Sequence, residues 1–310
     1  MKIFDSHVHC RKGCIKYLIN IMDIANIEKA LILPWPYEDE DILNEAINFK
    51  KRIYVAIIPN LELIYDKDLW EKEIKKISKN IDFFDAVKIY KTASFGNIIE
   101  NDNRDYSNNC FDELWSILSA VNKPVIIHTA DPKDFWNNNI NSLRKKQIEL
   151  NPEYNYSGKN IIPREKQKEI YKNHIKKWSN ITFIGAHLNG FPADLKELEQ
   201  DISLNKVDTC SSLEEVLTFD NNKVNDLFSK YYSNILFGTD IMVGEPSEGK
   251  ESIYYKIWSK FVIDTLDMIR CNDIMRTPNV REYPWSIKGL NLNPHIENSI
   301  LYENANSLFK

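Results

Sequence analysis

The chain has 310 residues, 43% hydrophobic, 27% charged and 12% aromatic, a balance that excludes wholesale disorder and collagen-like or low-complexity structure. The net charge is −5, and lysines interleave with acids, as in Glu71-Lys72-Glu73, so no basic footprint for nucleic acid is present. The five cysteines (Cys10, Cys14, Cys110, Cys210 and Cys271) are odd in number and widely spaced, which gives no disulfide framework and no zinc-finger pairing.

The segment Met1-Lys2-Ile3-Phe4-Asp5 lacks the apolar core of a signal peptide, and no apolar run approaches the ~20 residues that span a membrane. A reducing cytoplasm is the expected setting. Ile3 to His9 reads as a strand and Ile15 to Ala25 as an amphipathic helix. Lys29 to Leu33 is a second strand, stopped by Pro34 and Pro36, and a polar helix follows near Asp39 to Phe49. Ile53 to Ile58 is the third strand, Leu69 to Ser78 a helix and Ala86 to Tyr90 the fourth strand. A helix over Phe111 to Val121 precedes the fifth strand, Val125 to His128. Then come a helix over Arg164 to Trp178, a strand over Ile181 to Ala186 and a helix over Leu195 to Ile202. Val207 to Thr209 is a short seventh strand, Asn225 to Tyr232 a helix, and Ile235 to Gly238 the eighth strand. Tyr254 to Leu266 is the next helix, and Asn298 to Phe309 a terminal helix that closes the barrel.

Strands alternating with helices imply a parallel sheet, and eight such units favour a closed (β/α)8 TIM barrel over an open sheet. No GxGxxG or GxxxxGK[ST] follows a strand, which argues against nucleotide binding. The surplus over the ~250 residues of a plain barrel falls in an insertion after strand five, between Thr129 and Pro163, and in a C-terminal helical extension after Arg270. With no linker, the whole of 1–310 is expected to be one domain.

Four of the six histidines fall at strand ends, where a barrel builds its active site. Asp5, His7 and His9 sit at i, i+2 and i+4, so simple alternation places all three on one face, and a one-residue slip would turn the histidines outward. His128 ends strand five, His187 follows strand six, and Asp240 follows strand eight. An aspartate after so apolar a strand is costly to bury without a cation or a tight hydrogen-bond network. Alone, each of these residues also reads as an ordinary strand end or a satisfied core histidine. Together they converge on one rim, and their nitrogen and oxygen atoms suit Zn²⁺ first, with Fe²⁺ or Mn²⁺ as alternatives.

The run Asp5-Ser6-His7-Val8-His9, with VIIHTADP (125–132), ITFIGAHLNG (181–190), ILFGTDI (235–241) and LYENANSLF (301–309), resembles the amidohydrolase superfamily. It is most similar to the amidohydrolase-related branch that includes aminocarboxymuconate semialdehyde decarboxylase. The resemblance implies a single metal ion held by His7, His9, His128 and Asp240. It also implies an acid/base or substrate role for His187, a ligand in binuclear relatives. Lys88, which shares a face with Tyr90 on strand four, matches the position of a carbamylated lysine that bridges two metals in those relatives. A substrate-anion or supporting role for Lys88 is the preferred reading here, and a second metal the minor one. Homo-oligomers are common in the branch.

Three functions follow as expectations. The first is a hydrolase acting on a small amide, lactone or ester through a metal-activated water, with Asp240 taking a proton and His187 stabilising the oxyanion or protonating the leaving group. The second is a nonoxidative decarboxylase of an unsaturated or aromatic acid using the same site. The third is a ligand-binding barrel without catalysis. Tyr90, Asp131, Trp35 and Asn189 are further candidates for substrate contact or support. Trp136, Tyr154 and Tyr156 either line the pocket or pack the insertion, and Arg164, Arg276 and Arg281 are expected in surface salt bridges rather than on a substrate carboxylate.

Overall fold

The computed structural model describes residues 1–90, 105–137, 144–276 and 286–309. Eight β-units run in the expected order: β1 (Phe4–Cys10), β2 (Lys29–Ile32), β3 (Ile53–Ile57), β4 (Ala86–Ile89), β5 (Val125–Ile127), β6 (Phe183–Gly185), β7 (Lys206–Asp208) and β8 (Ile235–Leu236). Each pairs in parallel with its neighbour, and a ninth segment, β9 (Ile241–Val243), pairs in parallel with β1. Because β9 follows β8 after four residues, the two are halves of one eighth strand, the first on β7 and the second on β1. Backbone bonds Ser6 N to Phe237 O (2.9 Å) and Asp240 N to His7 O (2.8 Å) complete the seam. The sheet is therefore a closed (β/α)8 barrel.

The helices form where apolar residues recur on one face. In α1 (Ile15–Ala25), Ile15, Leu18, Ile21, Met22 and Ala25 are buried, and Asn26 ends the helix at φ 58°. In α2 (Lys67–Asn80), the Asp66 side chain caps the Leu69 N–H at 3.0 Å while Trp70, Ile74 and Ile77 face the sheet. These outer faces join the core between strands and helices, which includes Val87, Ile89, Val125 and Ile127. The inner positions of the same strands, Ala86, Ile126, Ile184 and Leu236, form a separate cluster inside the barrel. Tyr302, Ala305 and Phe309 of the terminal helical segment plug that cluster from below, with Phe309 5.6 Å from the Phe4 ring.

Alternation along β1 is not simple. Phe4 belongs to the interior cluster, whereas Ile3, Val8 and Cys10 face the helices. Strict period two from Phe4 would send His7 and His9 outward. A register shift between Asp5 and Val8 supplies the extra residue, and both imidazoles enter the barrel mouth. Asp5 does not share that face: its carboxylate is buried on the Thr239 N–H (3.0 Å) and hydroxyl (2.6 Å).

The insertion after β5 carries a short helix, Lys145–Leu150, and a small core of Phe135, Tyr156 and Ile161 with Trp136 and Tyr154 against it. The segment after Arg270 contains more than helix. Ile274–Arg276 and Ser286–Lys288 form an antiparallel pair before the terminal segment, which runs from Pro294 to Leu308 through a π-helical turn at Ser299–Glu303. Among the described residues no helix is long and apolar enough to cross a membrane.

Candidate metal centre and its pocket

His7 and His9 of β1 meet Asp240, in the break between β8 and β9, at the carboxyl end of the barrel. Asp240 adopts φ 61°, a left-handed conformation that aspartate tolerates better than most residues. Its Oδ1 lies 3.5 Å from His7 Nε2 and 3.3 Å from His9 Nε2, and its Oδ2 accepts a hydrogen bond from Ser211 Oγ. Gly238 makes room for this approach, since a Cβ there would sit 2.9 Å from His7 Cβ.

The far nitrogens of both rings are already engaged. His7 Nδ1 lies 2.8 Å from Asp208 Oδ2, and His9 Nδ1 lies 2.8 Å from Leu33 O. Both acceptors fix a proton on Nδ1 and leave the Nε2 lone pair facing Asp240. His7 Nε2 is a buried ring nitrogen with no hydrogen-bond partner among the described residues, an expensive arrangement unless a cation takes its lone pair. Two imidazoles and a carboxylate, all within 4.8 Å of one another, fit a divalent ion of the zinc, iron or manganese kind. Burial, and then the Lys88 charge, depress the pKa of His7. Burial pushes the Asp240 carboxyl up, but His9, His7 and His187 hold it well below the usual carboxylate range.

His128 and His187 stand beside this set. His187 Nε2 is 3.0 Å from His128 Nδ1, and His128 Nε2 is 2.8 Å from Asp131 Oδ1. His187 Nδ1 faces the Cys210 carbonyl at 3.0 Å. With Asp131 ionised, both ends of this chain are acceptors, so its three hydrogen bonds use three ring N–H groups. In this arrangement both nitrogens of His128 are engaged, and among the described residues the group at the cavity that could hold an ion is His7, His9 and Asp240. Tyr156 donates to the other Asp131 oxygen at 2.5 Å.

His187 opens a left-handed turn. His187, Leu188 and Asn189 have φ of 58°, 51° and 64°, Gly190 88° and Phe191 53°. Each non-glycine residue there costs roughly 1–2 kcal/mol. The turn is held from outside: Arg164 donates to Gly190 O (3.0 Å) and Phe191 O (2.6 Å), and Asn189 accepts from Thr129 Oγ1 (2.9 Å) and donates to Asp201 (3.2 Å). A Cβ on Gly190 would sit 2.9 Å from Ala130 N. Arg164 is thus buried on backbone carbonyls and on Glu197 (2.8 Å) instead of lying in a surface salt bridge. Asn189 is buried in the same clamp and does not line the pocket. Arg281 and the side chain of Arg276 lie outside the described residues.

A cavity of about 310 Å³ opens over the metal set. Trp35, Lys88, Tyr90, Asp131 and Tyr154 line it, together with Phe135, Arg144 and Phe191. Trp35 stacks on His9 (centroids 5.4 Å, 27°) and lies nearly parallel to Tyr90 (6.3 Å, 23°), making a flat aromatic wall. Of the insertion aromatics, Tyr154 reaches the cavity while Trp136 and Tyr156 pack the insertion. Lys88 is buried with its ammonium 5.8 Å from the Tyr90 ring, and among the described residues no hydrogen bond or ion pair reaches it. Burial lowers its pKa, against the opposing pull of Asp208, Cys210 and Asp240.

Sequence reasoning missed Asp208, Cys210 and Arg144. The carboxylate at the end of the seventh strand was the available signal, muted by the weakness of that strand. Arg144 gave none, since its pairing with Glu215 (2.7 Å) joins the insertion to a helix 71 residues away.

Fold and rim together define a (β/α)8 barrel with a candidate metal centre at its carboxyl end. No family model and no curated protein matches the chain. Solved structures do match it. A 2,6-dihydroxybenzoate decarboxylase from Rhizobium is 11% identical, with a TM-score of 0.58 over 100% of this chain and 98% of its own. An amidohydrolase II structure is 12% identical, with a TM-score of 0.60 and 99% coverage of both chains. An amidohydrolase from Burkholderia multivorans with bound zinc is 9% identical, with a TM-score of 0.53 and 99% coverage of both. The likeness to these structures is one of fold: the chain shares their barrel.

Proposed function

We propose that this protein is a metal-dependent hydrolase of a small carbonyl compound, an amide, lactone or ester, with residues 1–310 acting as one catalytic unit. The observation that carries the reading is the convergence of His7 Nε2, His9 Nε2 and Asp240 Oδ1 at the floor of a ring-lined cavity. His7, His9 and Asp240 would hold a divalent ion, zinc first, which would supply polarisation of the carbonyl and acidification of a water. Asp240, whose Oδ2 is already steadied by Ser211, receives the water's proton. His187 moves a proton at Nε2, which lies 3.0 Å from His128 Nδ1, toward the leaving group. Trp35 and Tyr90 hold the substrate's flat face, and the insertion, through Phe135 and Tyr154, keeps bulk water out.

Nonoxidative decarboxylation is the second reading. Lys88 favours it, because a buried ammonium in the cavity wall suits a substrate carboxylate. A screen of zinc-loaded protein against lactones, esters and amides, with CO₂ release from unsaturated and aromatic acids followed in parallel, separates the two. Hydrolysis that falls at least about 100-fold in His187→Ala supports the first reading. CO₂ release without hydrolysis replaces it with the second, and a silent screen with intact metal binding leaves a ligand-binding barrel.

A further inference from the structure

Asp208 lies at the end of β7, is 1% exposed, and lines no part of the cavity. Yet three donors from three places in the fold end on its carboxylate. Oδ2 faces His7 Nδ1 of β1 at 2.8 Å. Oδ1 accepts the backbone N–H of His187 at 2.9 Å, the first residue of the left-handed turn, and the Cys210 thiol at 2.7 Å. Cys210 in turn offers its carbonyl to the His187 ring. The grouping of His7, Asp208 and Cys210 resembles a second ligand set, but its atoms are already spent on one another.

We propose that Asp208 is a positioning residue that sets two groups at once, the tautomer of His7 and the backbone of the turn carrying His187. The inference rests on the metal-centre reading above. A carboxylate can only accept, so His7 must carry its proton on Nδ1 and present a bare Nε2 to Asp240. The turn that holds His187 begins on the same carboxylate, so the metal face and the proton-transfer face share one anchor.

Asp208→Asn tests this with little change of volume. The amide oxygen remains where His187 N–H and the Cys210 thiol donate, which turns the amide NH₂ toward His7. His7 must then accept at Nδ1, and its proton moves to Nε2, where the metal would bind. Two readouts are used: Co²⁺ titration by absorption spectroscopy, and ¹⁵N NMR of the histidine rings in metal-free protein. The expected results are a proton on His7 Nδ1 in the parent, its transfer to Nε2 in Asp208→Asn, and a loss of Co²⁺ affinity of about 10–100-fold or more. Equal affinity within about twofold and an unmoved His7 proton would overturn the proposal. If the parent binds no Co²⁺, the metal reading fails, and the tautomer result alone decides the role of Asp208. If Asp208→Asn does not fold, the parent spectrum decides: a proton on His7 Nε2 contradicts the proposal, and one on Nδ1 supports it.

Discussion

Histidines in this chain serve opposite ends depending on what surrounds each ring. His7 has one nitrogen on a carboxylate and the other aimed at Asp240, whereas His174 sits in a box of Tyr106, Trp115 and Phe183 with neither ring nitrogen hydrogen-bonded among the described residues. Burial, and then Lys177, push the His174 pKa down to about 3. In the unfolded chain the ring titrates near the ordinary 6.5, so between those values the unfolded state binds a proton that the folded state refuses. Stability from this ring is therefore complete above pH 6.5 and is lost as pH falls toward 3, by about 1.4 kcal/mol per unit. Urea unfolding of the parent and of His174→Phe at pH 7, 6 and 5 checks this: the parent should lose more stability toward pH 5 than the variant. Parallel curves would contradict it. Position separated the two kinds of histidine in the sequence, since the pocket rings close strands and His174 lies within a helical pattern. Their partners were not legible: Asp208 is 201 residues from His7, and no local rule links them.

At the scale of elements, the strands and main helices were legible because inward and outward positions alternate and apolar faces recur. Two local departures were not. The register shift in β1 leaves no signature in Asp5-Ser6-His7, yet it decides which way His7 points. The left-handed turn at 187–191 is hidden in a sequence with a single glycine, and it exists because Arg164, Asn189 and Asp208 hold it. That is why Arg164 is buried where charge alone suggests the surface. Arg164→Ala would leave Glu197 and two carbonyls without their shared donor and should destabilise the fold by about 3–5 kcal/mol. Arg11→Ala, which removes an exposed pair with Glu38, should cost under about 1 kcal/mol. Equal effects in denaturant titrations would show that the turn does not depend on the clamp.

Across the whole molecule, the count of alternating units was enough to anticipate a closed barrel, an insertion after the fifth strand and a terminal plug. The antiparallel pair of Ile274–Arg276 and Ser286–Lys288 was missed because three-residue strands carry too little period to read. Closure through the split eighth strand is what places Asp240 beside β1, and so brings three residues of the first and eighth strands into one candidate centre. The most direct test of that centre is metal content per chain, on protein purified without added metal and again after zinc reconstitution, for the parent and for His9→Ala. About one equivalent of zinc is expected in the parent, with a rise in melting temperature on loading and loss of both in His9→Ala. No bound metal after reconstitution, or full binding in His9→Ala, would contradict it.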